Sequence, residues 1–190
     1  MCGRYSLFTE QDNQEILKIV QELDRKYPGN SMRTGEIYPT NLAPVLLAEE
    51  EQVIPELSSW GFPHFRGSGV IINARAETAE EKRMFRDSLL FRRLAVPTTG
   101  FYEWDREKKK HRFLLPGEST LYLAGFYKLV KGERRYVILT TAANDSIANV
   151  HDRMPVILPR KRIRDWIFDT DRALGYLKEK MPALEDRKAE

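Results

Sequence analysis

Residues 93–140 read RLAVPTTGFYEWDREKKKHRFLLPGESTLYLAGFYKLVKGERRYVILT, a stretch with no amphipathic helix in it. Its apolar runs, Arg93–Val96, Phe101–Trp104, Arg112–Leu115, Leu121–Tyr127 and Arg135–Thr140, are short and rich in Val, Ile, Leu, Tyr and Phe. Gly, Pro or Lys/Glu turns bound them, and the charged run Arg106 to His111 is one such turn. Runs of this kind predict strands. A doubly wound parallel sheet would place a helix between successive strands, and none is present. The expectation is therefore an α+β fold: a curved, mainly antiparallel sheet or partly closed β-barrel with peripheral helices.

On either side the pattern continues. Arg4–Phe8, Leu42–Ala48, Gln52–Ser58, Val70–Asn73 and Val156–Leu158 read as further strands. Thr9 is placed to cap a helix from Glu10 to about Lys26, with Asp12 in its first turn. In that helix Ile16, Ile19, Val20 and Leu23 make one apolar face. Thr78 with Glu81 reads as a capping box opening a helix to about Leu90. Two more helices are expected near Arg160–Phe168 and Arg172–Lys180, and the terminal EDRKAE reads as a frayed tail.

The chain has 190 residues and no internal repeat or low-complexity linker, so a single domain over 1–190 is expected. Apolar residues make up 42% and charged residues 31%, with a mean hydropathy of -0.52. These values exclude membrane, collagenous and disordered classes. No apolar run reaches the ~18 residues of a membrane span, and the N-terminus lacks a secretory apolar region. The net charge of +3 permits an anionic partner without demanding one. One cysteine and three histidines leave no framework for a disulfide or a Cys/His zinc cluster, so no metal is expected. A reducing, cytoplasmic location follows most simply.

The cysteine is Cys2. Removal of the initiator Met exposes an α-amine beside a thiol, with reference pKa values of about 7.7–8.0 and about 8.5. Such a 1,2-aminothiol forms a Schiff base with an aldehyde and then closes a five-membered thiazolidine ring on the same carbon. An internal cysteine cannot do this, because its nitrogen is an amide. The plain alternative is an incidental cysteine in a loose terminus, but the strand-like run after Gly3 anchors it.

Three other clusters carry chemistry-bearing residues. Ile71-Ile-Asn-Ala-Arg-Ala-Glu-Thr presents Asn73 and the forked donor Arg75, or else a plain loop with Arg75 paired to Glu77. In Thr99-Gly-Phe-Tyr-Glu-Trp, Glu103 lies among aromatics that would raise its pKa and suit it to acid/base work; strand alternation could equally leave it solvated. In Val150-His-Asp-Arg-Met-Pro, His151 is either a proton shuttle or a structural histidine. Aromatics interleaved with arginines, Trp60 and Arg83 among them, suit single-strand binding, although Trp60 also reads as an ordinary core residue.

Together with Asn41-Leu-Ala-Pro and Trp60-Gly, these clusters resemble the SOS response-associated peptidase family over residues 2 to about 168. That resemblance implies an autopeptidase that removes its own Met1 and then captures abasic sites in single-stranded DNA as a thiazolidine on Cys2, a crosslink that shields the lesion, with lyase activity as a further expectation. It implies Asn73 as the residue positioning the lesion, Glu103 as acid/base, and His151 as the group handling the opened sugar's proton and crosslink reversal. Arg4, Arg75, Arg83 and Arg153 would hold phosphates and Trp60 would stack on a base. The implied partner is DNA, with a monomeric protein, no membrane and no cofactor. From about Asp169 the sequence departs from the family's usual tail. Two other readings stay open: a thiol peptidase acting on other proteins, and a non-catalytic module that binds single strands.

Overall fold

The structure, a computed structural model, describes residues 2–10, 13–64 and 67–188. Its strands, in chain order, are β1 (Tyr5–Leu7), β2 (Gly35–Ile37), β3 (Leu42–Glu49), β4 (Gln52–Trp60), β5 (Phe62–Pro63), β6 (Val70–Ile71), β7 (Asn73–Arg75), β8 (Arg93–Thr98), β9 (Gly100–Trp104), β10 (Lys110–Leu114), β11 (Leu121–Val130), β12 (Glu133–Ala142), β13 (Arg153–Pro155), β14 (Ile157–Leu158) and β15 (Glu185–Lys188). The helices are α1 (Gln14–Lys26), α2 (Ala76–Ala79), α3 (Arg86–Phe91), α4 (Ile163–Phe168) and α5 (Thr170–Tyr176).

Strands β12, β4, β3, β8 and β11 pair in that order, and β11 returns to β12, closing a barrel. Every contact round the ring is antiparallel except β12–β4, which is parallel and short: Arg135↔Ser59 and Tyr136↔Trp60. Both faces of β8 are buried, because one lines the barrel and the other is covered by α3 and α4. That double burial explains why Leu94-Ala-Val reads as continuously apolar. Gly125 permits the β11–β12 approach, since a Cβ there would lie 2.6 Å from the Val137 carbonyl oxygen.

A second antiparallel sheet runs β15-β10-β9-β1-β2. The chain turns into it from the barrel between Thr98 and Gly100, where Gly100 holds φ 148°. Buried hydroxyls satisfy the backbone at this corner: Thr98 Oγ1 donates to Ser6 O at 2.7 Å, and Ser6 Oγ donates to Gly100 O at 3.0 Å. Beyond the barrel proper, β12 exchanges neighbours. On one edge β7 takes over from β4, pairing Ile138–Thr140, and on the other β13 takes over from β11, pairing Thr140–Ala142. This handover brings the segments of Asn73 and Arg153 to the two sides of one strand.

The α+β expectation is met, with the barrel fully closed. Several local expectations are corrected. The N-cap of α1 is Asn13, not Thr9: its side chain accepts from Ile16 N at 3.1 Å. The expected place of Asp12 lies outside the described residues, as do Met1, Ala189 and Glu190. The helix expected from Thr78 to Leu90 is broken into α2 and α3. A continuous helix would turn Phe85 off the core face that holds Ala79, whereas the intervening turns seat Phe85 against Phe62 and Phe126. The charged tail is not frayed: Glu185–Lys188 form β15, paired with β10. Asp169, accepting from Arg172 N, caps the last helix, which starts at Thr170 and ends at Tyr176. No helix among the described residues is long and apolar enough to cross a membrane.

Candidate active site

Cys2 is held by the strand that follows it. Tyr5 pairs Phe101, and Tyr102 N donates to Arg4 O at 2.9 Å, so the same register carried back sets residues 2 and 3 beside Glu103 and Trp104. Asn73, opening β7 on the edge of β12, donates from Nδ2 to Cys2 O at 2.9 Å. Its Oδ1 is buried with no hydrogen-bond partner among the described residues. Cys2 is 1% exposed, and its Sγ points to Arg4 O at 3.8 Å. Burial, reinforced by the Glu103 carboxylate, pushes the thiol pKa far above its usual range. At neutral pH this sulfur is a thiol.

Glu103 is 3% exposed, so the solvated alternative does not apply. Strand β9 is covered on both faces, with Phe101 stacked on Phe113 at 5.5 Å and Tyr102 buried. Burial raises the Glu103 pKa to about 7, and the Asp152 carboxylate pushes in the same direction. A carboxyl group poised there donates or accepts a proton with little penalty near neutrality.

His151 lies just before β13. Its Nδ1 accepts from Arg153 N at 3.0 Å and is 2.9 Å from Asp152 Oδ1. The two contacts need opposite protonation of one nitrogen. Burial, the first cause, lowers the ring pKa, which favours the neutral imidazole with its proton on Nε2. Asn73 is thus bonded to Cys2, Glu103 acts on the Cys2 thiol, and the His151–Asp152 loop acts on Glu103.

The arginines divide. Arg4 donates to Glu36 at 3.2 Å and lies over the rings of Tyr38 and Trp104, at 4.2 and 4.9 Å. Arg75 and Arg83 are exposed and make no ion pair among the described residues. The alternative pairing of Arg75 with Glu77 is not what forms. Glu77 instead grips Arg153 through two bonds of 2.7 and 2.8 Å. Trp60 is fully buried, stacked on Tyr136 and donating Nε1 to Ile72 O at 3.0 Å, so neither of its faces is open to a base. The core reading of Trp60 is the one the structure supports. Sequence reasoning missed the hydroxyl pair Tyr5–Tyr136, 2.6 Å apart, and the Glu77–Arg153 fork, whose partners are 76 residues apart. No group of three or more His, Cys, Asp or Glu among the described residues is placed to hold a metal.

Comparison with known proteins adds four findings. The family described as SOS response associated peptidase (SRAP) matches residues 1–188, so the divergent tail falls within the family's span. The abasic site processing protein YoqW of Bacillus subtilis is 32% identical over 93% of this chain and 84% of its own. The abasic site processing protein YedK of Escherichia coli is 29% identical over 88% of this chain and 79% of its own. A solved structure of a Bordetella bronchiseptica protein matches with a TM-score of 0.77 at 21% identity and covers 100% of both chains, which shows the shared fold.

Proposed function

Because this chain belongs to the SOS response-associated peptidase family, we propose that it captures abasic sites in single-stranded DNA on Cys2. The observation that carries the reading is the placement of Cys2, bonded through its carbonyl to Asn73 and beside a carboxyl group with a pKa of about 7. The names of the relatives YoqW and YedK supply the substrate class.

The chemistry requires that Met1 be removed, because the Cys2 nitrogen is otherwise an amide. Glu103 in its carboxylate form takes a proton from the water that attacks the Met1 carbonyl and returns it to the departing Cys2 amine as the peptide bond breaks; His151 is the other candidate base. The freed amine then adds to the aldehyde carbon of the ring-opened sugar. Glu103 in its acid form protonates the carbinolamine hydroxyl, which departs as water and leaves an iminium ion. The Cys2 sulfur adds to that carbon, and the thiol proton passes to the Glu103 carboxylate. The carbon–sulfur bond closes the thiazolidine, and one water is lost overall. The buried Asn73 Oδ1 is suited to accept from the new ring nitrogen or a sugar hydroxyl. His151, neutral at Nδ1, handles the proton of the opened sugar and supports reversal. Arg75 and Arg83, exposed and without ion pairs among the described residues, are suited to backbone phosphates, with Arg4 and Arg153 at the site's edge. A thiol peptidase acting on other proteins is disfavoured, since the attacking species there is a thiolate and burial holds this sulfur protonated.

Intact mass spectrometry tests the proposal on untagged protein, before and after mixing with single-stranded DNA carrying one abasic site. The expected result is loss of Met1, then an adduct equal to the oligonucleotide minus one water. Cys2→Ala should abolish the adduct while non-covalent strand binding persists. A free N-terminal cysteine that forms no adduct would overturn the reading.

A further inference from the structure

The Glu77–Arg153 pair has the geometry of a bound oxyanion. Both Glu77 oxygens accept from the guanidinium of Arg153, at 2.7 Å from Nη1 and 2.8 Å from Nη2. Nη2 also donates to Thr140 O at 2.7 Å, which fixes the fork against β12. A carboxylate seated bidentately on an arginine presents the same pair of acceptors as a phosphodiester. The Glu77 side chain is 46% exposed and that of Arg153 12%, so the anion faces solvent while the cation is held from behind. The Arg153 Nε is buried without a hydrogen-bond partner among the described residues. Glu77 stands two residues from Arg75 and Arg153 two residues from His151, so the pair borders the site.

We propose that Glu77 is an internal competitor for a DNA backbone phosphate: it occupies Arg153 in the free protein, and a phosphate of the bound strand takes its place. This rests on the DNA reading above and adds a determinant of strand affinity to it. The exchange has a physical consequence. A phosphate arriving at Arg153 must displace a carboxylate of like charge, so an intact strand gains little from this arginine. Removing the charge of Glu77 leaves the same arginine free to contribute in full.

The test measures equilibrium binding of an intact single-stranded oligonucleotide over a series of salt concentrations, for wild type, Glu77→Gln, Arg153→Ala and the double variant, with thermal unfolding of each. Exchange predicts that Glu77→Gln binds roughly fivefold or more tightly, and that its salt dependence steepens toward the ~0.7 of a further single-strand phosphate contact. It also predicts that Arg153→Ala costs more affinity in the Glu77→Gln background than in wild type. A merely structural strut predicts the reverse: Glu77→Gln binds more weakly in step with a lower melting temperature, and Arg153→Ala costs the same in both backgrounds. That result would overturn the proposal. Should the variants not fold, the carboxyl carbon resonance of Glu77 in wild type decides the matter. It moves to the free-carboxylate position on strand binding if exchange occurs, and stays fixed if it does not. Abasic capture by wild type is measured alongside. Failure of capture and strand binding in wild type would count against the DNA reading itself, whereas capture with an unresponsive Glu77 counts only against exchange.

Discussion

At the scale of single residues the chemistry turns on Glu103. Its pKa is raised to about 7 by burial, so the folded chain holds a proton there that the unfolded chain releases. The stability this contributes is complete below the ordinary glutamate range and is lost as pH rises through about 7. Glu103→Gln should therefore flatten the fall in melting temperature between about pH 4.5 and 7, measured by calorimetry against wild type. The same variant should slow adduct formation by about 10²- to 10⁴-fold, the usual contribution of a positioned acid/base. It should also abolish the neutral step in the pH–rate profile. If the variant retains Met1 as well, the terminal hydrolysis belongs to this carboxyl. Cys2, Asn73, Glu103 and His151 were each legible as residue types in short motifs. Their meeting was implied by the family resemblance alone, because local pattern carries no signal for a contact in which Asn73 reaches Cys2 across 71 residues. The burial that sets the Glu103 pKa also comes from both faces of β9, where alternation alone left one face open.

Elements hold these residues through a few buried polar contacts. Arg93, 5% exposed, donates to the carbonyls of Leu89, Leu90, Trp166 and Ile167, closing the C-terminal ends of α3 and α4 with one guanidinium. Arg93→Met keeps most of the volume but orphans those acceptors, and should cost about 3 kcal/mol by chemical denaturation. Nothing in the sequence distinguishes this arginine from its neighbour Arg92. Its role comes from two helix ends whose partners lie more than 70 residues apart. The terminal strand β15 is held in a comparable way. His111 Nδ1 meets Asp186 at 2.8 Å and Nε2 meets Asp105 at 3.2 Å. Burial opposes the imidazolium, but the two carboxylates outweigh it and the pKa is raised. The anchorage is complete below the ordinary histidine range and is lost as pH rises through the raised value. Amide exchange in β15 should therefore accelerate with pH beyond its intrinsic dependence, and His111→Asn should remove that excess. The run EDRKAE read as tail because five of its six residues are charged; its pairing rests on backbone bonds and on this charge clamp, which hydropathy does not register.

For the whole molecule the decisive feature is the seam where the barrel closes. Strands β4 and β12 meet there through only two residue pairs, and Trp60 fills the join between Tyr5 and Tyr136. The hydroxyls of those tyrosines meet at 2.6 Å, which links the second sheet, and with it Cys2, to the barrel. Short strands and an α+β class were readable from the runs between Arg93 and Thr140, but closure was not. Whether β12 completes a ring depends on a parallel contact between segments 76 residues apart, for which periodicity carries no signal. Trp60 shows the cost of that gap, since its type suited a stacking surface and its place is the core. The two roles make opposite predictions. A base-stacking tryptophan changed to alanine would weaken strand binding with stability intact. A seam tryptophan changed to alanine opens a cavity at the join, and should cost about 3–5 kcal/mol. Strand affinity of the fraction that remains folded should then stay near wild type. Chemical denaturation together with strand titration at low temperature, where the variant is mostly folded, separates the two, and the full burial of the indole predicts the second.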